Sequence, residues 1–571
     1  MQDKITKADT YYGVRQMEKE MQNKRPMADL VFVNGQVITM DAHNRICHGV
    51  AISGNQIIHV GTSEEAMLYA GHDTRVVDLQ GKTLLPGFID SHYHPILNGL
   101  FGADEEAAII DISTENCPTI DDILTLVRKA AAKRPPGTWI SMMGYNQNSI
   151  AEKRHPIREE LDKAAPNHPV QCMHVSGHLS IYNSQALGTI GVFTPADAAR
   201  FPQNEIEVHS GRLTGLVYDH THFLLWSKVG YTEQQQYDAA MKSNDLLLRN
   251  GITSIHDPGE CGEVSYRLMH DLCTKRVFKP RSYMMIHSIF GKQFSLADNK
   301  AFIEGGHISG EGDDYFRFGC SKFMIDGGTS APSCATREPY SHDPDLPGIL
   351  GWTREETAEY IESLHRAGCQ VTAHAVGDLA VEFMVEGYEK TMNAFPRKDP
   401  RHRIEHCAIV DQDLIDRMAA LGLCPSCNPG FIAWNGSNYT KYYGERMRYF
   451  IALRSMIDAG IRVSISSDAP SGPIEPMAVL DAAVNRIDRI TREPVDQKQC
   501  ITIEEALRLY TINGAIASKE EAIKGSIEVG KLADLVMLSQ DIFTALPHQI
   551  REVKIEMTVI DGIIEYEDSS S

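Results

Sequence analysis

The sequence predicts an α/β fold, a closed (β/α)8 TIM barrel inserted into a small β-sandwich that both chain ends build. Three observations predict it. The chain has 571 residues, too many for one ordinary core and suited to one large domain plus a smaller one. From Leu84 to about Ser518, apolar strand-like runs alternate with helical patterns, as parallel β and α layers require. The two ends share another texture, short β-rich runs interrupted by Asn34-Gly35, Gly54-Asn55 and Asp561-Gly562, which read as turns.

Taken in order, residues 1–27 read as a helical N-terminal extension. It has no apolar run, so it is neither a signal peptide nor an anchor. Residues 28–83 and 525–568 are expected to form one antiparallel composite sandwich, and 84–524 the barrel. The eight candidate barrel strands are Leu84–His92, Pro169–His174, Ile252–His256, Tyr315–Ile325, Cys369–His374, Arg403–His406, Gly422–Ser426 and Arg462–Ser467. Thr353 with Glu356, and Thr502 with Glu505, make capping boxes that start helices, and Gly368 stops the first of these. Two long connections, Asn98 to Asn167 and the segment after the fourth strand, are placed to shape a substrate site. The tail YEDSSS is polar and reads as frayed.

Composition narrows the class. Hydrophobic residues make up 42% and charged residues 23%, the profile of a soluble globular protein. The net charge of −21 repels nucleic acid and anionic membranes, and no apolar stretch approaches the roughly 18 residues of a membrane span. The 12 cysteines show no framework spacing, which fits a reducing cytoplasm. Cys424 and Cys427 have redox-motif spacing, but CPSCNPG runs into Pro and Gly instead of opening a helix, and buried thiols near a strand end are the preferred reading.

The chemistry sits where polar residues interrupt apolar strands near their C-terminal ends, where barrel enzymes place catalytic groups. His92 and His94, two apart, put both imidazoles on one side of a strand as a chelating pair. Lys322 lies inside an apolar strand with Met324 and Asp326 on its face. A buried lysine is costly unless paired or modified. Either it bridges to Asp326, or as a neutral amine it takes up CO2 and the carbamate bridges two metals. His374, His406 and Asp468 each end a strand, and alone each also reads as a structural histidine or turn carboxylate. Together the six residues form an N/O ligand set at strands one, four, five, six and eight. That set suits two divalent ions, zinc first, with manganese, nickel or iron as alternatives.

The motifs LLPGFIDSHYHP, SKFMIDGGTS, VTAHAVGD, HRIEH, ISSDAP and EALRLYTINGA…GSIEVGKLADLVML occur in the order of the amidohydrolase superfamily. The chain resembles its amidohydrolase 3 branch, which includes the YtcJ-like proteins and N-substituted formamide deformylase. The resemblance covers nearly everything after the extension. It implies that His92, His94 and Asp468 bind one metal, that His374 and His406 bind the second, and that carboxylated Lys322 joins them. It also implies that a hydroxide bridges the metals and that Asp468 is the general base. VSGHLSIYNSQAL resembles the branch's second-strand segment. His178 would there stabilise charge on the substrate carbonyl oxygen, or else support a neighbouring residue. GYNQNS places Asn146 toward the substrate. The chain departs from the pattern in SSD for Gly-Ser-Asp, in CPSCNPG, and in SIHDPG, which puts His256 and Asp257 after the third strand. The last two leave substrate identity open.

The expected activity is hydrolysis of the C–N bond of an amide-like small molecule, N-formyl compounds included, by a metal-activated hydroxide. A cyclic amide hydrolase or a deaminase on the same barrel is the alternative. A non-catalytic relative kept as an assembly module would lose metal ligands, and all six are present. The sequence leaves open whether the chain is a homo-oligomer.

Overall fold

The computed structural model describes residues 26–202, 205–259, 263–288, 292–330, 332–345 and 348–568. Apart from residues 26 and 27, the predicted N-terminal extension lies outside them, as do the last three residues of the tail.

Eight parallel strands form a nearly closed barrel in chain order: β1 Phe88–Asp90, β2 Ile252–Asp257, β3 Arg281–Ile286, β4 Phe316–Met324, β5 Val371–Ala375, β6 Glu405–His406, β7 Ser426–Cys427 and β8 Ser464–Ile465. β1 and β8 are tied just past their ends. The Asp468 amide donates to the His92 carbonyl at 2.9 Å and the His94 amide to the Ala469 carbonyl at 3.3 Å. The Ser467 amide donates to the Asp90 carboxylate at 3.1 Å. These ties bring the His-x-His segment against Asp468.

Two expected strands are corrected. Pro169–His174 is not a barrel strand. Val170–His174 pairs with Ile140–Tyr145 and Leu179–Tyr182 in a separate seven-stranded sheet spanning Phe101 to Tyr218. A five-residue run such as VQCMH carries no mark of the sheet it joins. The strand passed over is β3, whose sequence RSYMMI opens with polar residues yet is buried throughout. Arg281 is tolerated there because Asp534 takes its Nε at 2.6 Å and Asp561 also accepts from the guanidinium. β4, β5, β6 and β8 keep their ordinals, whereas His256 and Asp257 lie at the end of the second strand.

The run Leu84–His92 is also two strands. Thr83–Pro86 belongs to the sandwich, pairing with Leu535–Leu538, and Phe88–Asp90 begins the barrel. The chain changes sheets at Gly87, where an added Cβ would lie 2.2 Å from the Thr253 side chain.

The sandwich has a four-stranded sheet from the N-terminal part and a six-stranded sheet in which three strands from each chain end lie side by side. Leu30, Phe32, Ile52, Leu84, Leu535 and Val559 pack between them. It is mixed, not wholly antiparallel: Ala28–Val33 runs parallel to Ala70–Asp78, and Gln36–Ile38 parallel to Thr83–Pro86. Gly54-Asn55 and Asp561-Gly562 are hairpin turns. Asn34-Gly35 is not, since the strands on either side of it join different sheets. Both capping boxes form at Thr353 and Thr502.

Candidate metal centre and substrate cavity

The barrel gathers the predicted ligands at one end. His92 Nε2 lies 3.4 Å and His94 Nε2 3.8 Å from Asp468 Oδ1, a group compact enough to hold one ion. Lys322 Nζ, on β4, is 3.4 Å from His92 Nε2. The His406 ring, on β6, lies 4.7 Å from that of His92 and 4.5 Å from that of His374 on β5. Both histidines of the pair lie just past the end of β1 rather than on it. His406 (φ 70°) and Asp468 (φ 56°) adopt left-handed backbone, a cost of about 1–3 kcal/mol each that is met mainly at functional sites.

Each of the four imidazoles has one nitrogen committed to an oxygen acceptor. His92 Nδ1 donates to Glu405 Oε2 at 2.7 Å, His94 Nδ1 to the Gly259 carbonyl at 3.2 Å, His406 Nδ1 to Asn428 Oδ1 at 2.8 Å, and His374 Nε2 to the Gly327 carbonyl at 3.2 Å. A neutral imidazole that donates from one nitrogen keeps a lone pair on the other, the arrangement metal-ligating histidines adopt. Burial, reinforced by Lys322, pushes His94 and His406 down to about 3, so near neutral pH both are uncharged and able to ligate.

Glu405 anchors this arrangement, and sequence reasoning passed it over. Burial alone would push its carboxyl up. Arg403 and Lys322, with hydrogen bonds from Arg403 and Thr372, outweigh that and hold it below the ordinary carboxylate range. Its signal was a second charged residue inside HRIEH, between Arg403 and the histidine. Asp90 was missed as well. It accepts from the His92 and Ser467 amides and from the Tyr510 hydroxyl, fixing both sides of the ligand turn.

Lys322 does not bridge to Asp326. That carboxylate accepts from the Ala335, Val376 and Gly377 amides instead, because it lies beyond the end of β4 and meets the start of the helix Asp378–Ala394. Burial holds the Lys322 amine below its ordinary value, against the pull of Glu405 and Asp468, and burial holds Asp468 above its own against the pull of Lys322.

A cavity of about 1000 Å³ opens over the centre, lined by Asn146, His178, His374, His406 and Asp468. The inserted sheet supplies the first two. His178 lies just before Leu179–Tyr182, its ring 4.8 Å from that of His374. Its Nδ1 donates to Asp219 Oδ1 at 2.8 Å, leaving Nε2 for the cavity. Asp219 is 41 residues away in sequence, and nothing local announced it. Asn146 Oδ1 accepts from the Asn148 amide at 2.9 Å.

His256 accepts from Arg403 Nη1 at 2.7 Å, which places it in the charge network behind the candidate ligands. The eleven described cysteines are all free. Cys424 and Cys427 are buried, and burial raises both thiols, Cys427 to about 12, which removes the thiolate that redox chemistry needs.

Titratable residues gathered at the carboxyl ends of the strands are the arrangement of (β/α)8 enzymes. The amidohydrolase family model matches residues 75–566, and the chain belongs to that family. It is 31% identical to N-substituted formamide deformylase of Arthrobacter pascens, over 95% of this chain and 99% of the relative. It is 28% identical to the putative amidohydrolase YtcJ of Bacillus subtilis (strain 168), over 88% and 92%. Among solved structures, an uncharacterized metal-dependent hydrolase from Pyrococcus horikoshii aligns with a TM-score of 0.71 at 22% identity, over 91% of this chain and 99% of that one. Among the described residues, no helix is long and apolar enough to cross a membrane.

Proposed function

We propose that the protein hydrolyses the C–N bond of a small, amide-like molecule, N-formyl compounds included, at a binuclear metal centre. The observation that carries this reading is the set of four imidazoles, three of them buried and His94 partly so, each with one nitrogen engaged by an oxygen acceptor and the other left as a lone pair. That donor chemistry fits divalent cations, zinc first, with manganese, nickel or iron as alternatives. His92, His94 and Asp468 would hold one ion and His374 and His406 the other, with Lys322 joining them as its CO2-derived carbamate. Burial favours the neutral amine of Lys322, the form that adds CO2. When bound, the ions supply Lewis-acid polarisation and an activated water.

The chain's own groups do the rest. Asp468 takes a proton from the attacking water and returns it to the leaving nitrogen. His178, oriented by Asp219, donates from Nε2 to the substrate oxygen as charge develops there. Asn146 contacts the substrate from the inserted sheet. The similarity to a formamide deformylase over the full length supports an N-formyl or related linear amide. The acidic charge and free cysteines support a cytoplasmic setting.

Protein purified without chelator is expected to carry one to two transition-metal ions per chain by elemental analysis. Turnover should appear in a screen of N-formyl amines, N-acyl amino acids and cyclic amides. Protein that holds no metal and takes up neither zinc nor manganese would sink the reading. His178→Ala is expected to lower kcat by about 10²–10³-fold with metal content unchanged. Metal loss in that variant would make the histidine a support of the centre instead.

A further inference from the structure

Two arginines stand at the mouth of the cavity. Arg489 and Arg492 line it and are also exposed, which places them where it meets solvent. Both belong to the loop 486–496, which follows the helix Pro476–Asn485. The backbone of this loop is held from several sides. At its base the buried Arg486 donates to the Val495, Ile451 and Phe450 carbonyls. Asp488 accepts from the Ile490 and Thr491 amides and from the Ser437 amide of the helix Gly430–Tyr443, which follows β7. The Arg489 amide donates to the Ala433 carbonyl of that helix at 2.8 Å, and the Arg492 amide to the Asp488 carbonyl at 2.9 Å. Arg492 holds left-handed backbone (φ 63°), a conformation that costs a residue with a side chain and persists where its surroundings impose it.

The two guanidinium groups, by contrast, are uncommitted. Neither takes part in a salt bridge or a side-chain hydrogen bond among the described residues. The other charges of the lining are mostly spent. Lys153 donates to the Asn148 carbonyl at 2.7 Å, the Asp488 carboxylate holds its three amides, and that of Asp111 accepts from the Ser113 amide and from Asn116 Nδ2. Glu115 and Glu475 remain at the rim. Arg551 brings a third guanidinium close. Burial, and then the charge of Arg489, push it below its ordinary value, with Asp481 and Glu475 pulling the other way and Arg492 adding to the push. Crowding like charges costs energy that an anion placed between them returns.

We infer that Arg489 and Arg492 together bind a carboxylate at the far end of the substrate, so that the protein acts on amides that carry an acid group in preference to neutral ones. This inference rests on the amidohydrolase reading and names part of the substrate that reading leaves open. A guanidinium fork meets a carboxylate with two parallel, charge-assisted hydrogen bonds. A carboxylate suits the rim better than a phosphate, because Glu115 and Glu475 repel a dianion more strongly than a monoanion. The net charge of −21 turns anions away from the surface at large, and a cationic mouth reverses that field where the substrate enters.

The test is a series of N-formyl ω-amino acids of increasing chain length, assayed with zinc-loaded enzyme. Each is compared with the neutral analogue in which an isopropyl group of similar shape replaces the carboxylate. Methyl ketones with the same two end groups, which have no C–N bond to cut, are titrated by calorimetry, so binding is read without turnover. At the chain length that spans the cavity, wild type should favour the acid by roughly tenfold to a hundredfold in kcat/KM and in ketone affinity. That preference should shrink as salt is raised, because the arginines are exposed. It should fall in Arg489→Gln and in Arg492→Gln and vanish in the double variant, with metal content and melting temperature as folding controls. A preference that survives in the double variant, or that ignores salt, would place the carboxylate elsewhere and overturn the inference, as would equal treatment of acid and neutral analogue at every length. If no amide is turned over while the ketones still show the arginine-dependent preference, the hydrolase reading fails and the inference about the mouth stands.

Discussion

Asp468→Asn is expected to fold, to keep at least one metal ion, and to lose roughly 10³-fold or more in rate, at or beyond the upper range of ordinary acid–base contributions. Amide hydrolysis needs a group that removes a proton from the attacking water and delivers it to nitrogen, because an amide anion is too poor a leaving group. The four histidines cannot do this. One nitrogen of each is bound to Glu405, Gly259, Asn428 or Gly327, and the other is the lone pair that would ligate. Lys322 as a carbamate would be committed to bridging. Asp468 has a second oxygen to spare and borders the cavity. The sign of the pH dependence follows from its role. The working form is the carboxylate, so activity falls as pH drops through its pKa, and burial raises that pKa above the ordinary carboxylate value. The acidic limb of the pH–rate profile should therefore disappear or move in Asp468→Asn. Near-normal kcat with full metal would make Asp468 a turn residue and shift attention to His256 and Asp257.

Lys322→Ala is expected to lose most of its metal and, with it, rate by about 10³-fold or more, the equivalent of several kcal/mol of charge stabilisation. An ammonium between two cations is untenable in a low-dielectric site, and no carboxylate forms a salt bridge with Lys322 within 4 Å among the described residues. The Asp326 carboxylate that the sequence offered as a partner is spent on three backbone amides. Carboxylation turns the amine into an anion and removes the conflict. A short carboxylic acid such as propionate, supplied to the alanine variant, should occupy the vacated space and restore part of the metal and the rate. High-resolution density with an unmodified lysine beside two bound ions would contradict the carbamate.

Much of the site was legible because charge in an apolar strand is expensive, so it stands out. His92, His94, Lys322, His374, His406 and Asp468 were each visible as a polar interruption of a hydrophobic run. Their common direction followed from the rule that barrel strands present chemistry at one end. The residues that orient them were less visible. Glu405 and Asp90 sit in the same motifs but look like ordinary neighbours until their hydrogen bonds are seen. Asp219 and Asn428 reach His178 and His406 from 41 and 22 positions away.

By itself the sequence determined the α/β class, the sandwich built from both ends, the helix starts at Thr353 and Thr502, and the residue types that gather at the candidate centre. All of these depend on local periodicity, turn chemistry or the cost of burying a polar group. The tertiary structure alone decided which apolar runs share a sheet. It sent Val170–His174 to an inserted sheet that carries His178 and Asn146 over the barrel, and it admitted β3 despite its arginine because the sandwich supplies Asp534 and Asp561. It also decided the break at Asn435 within the helix Gly430–Tyr443, where Asp488, some fifty residues later, takes up the amide of Ser437. The reason is the same in each case. Strand pairing, charge neutralisation and hydrogen-bond satisfaction are settled between residues distant in the chain, and a local pattern holds no record of the partner.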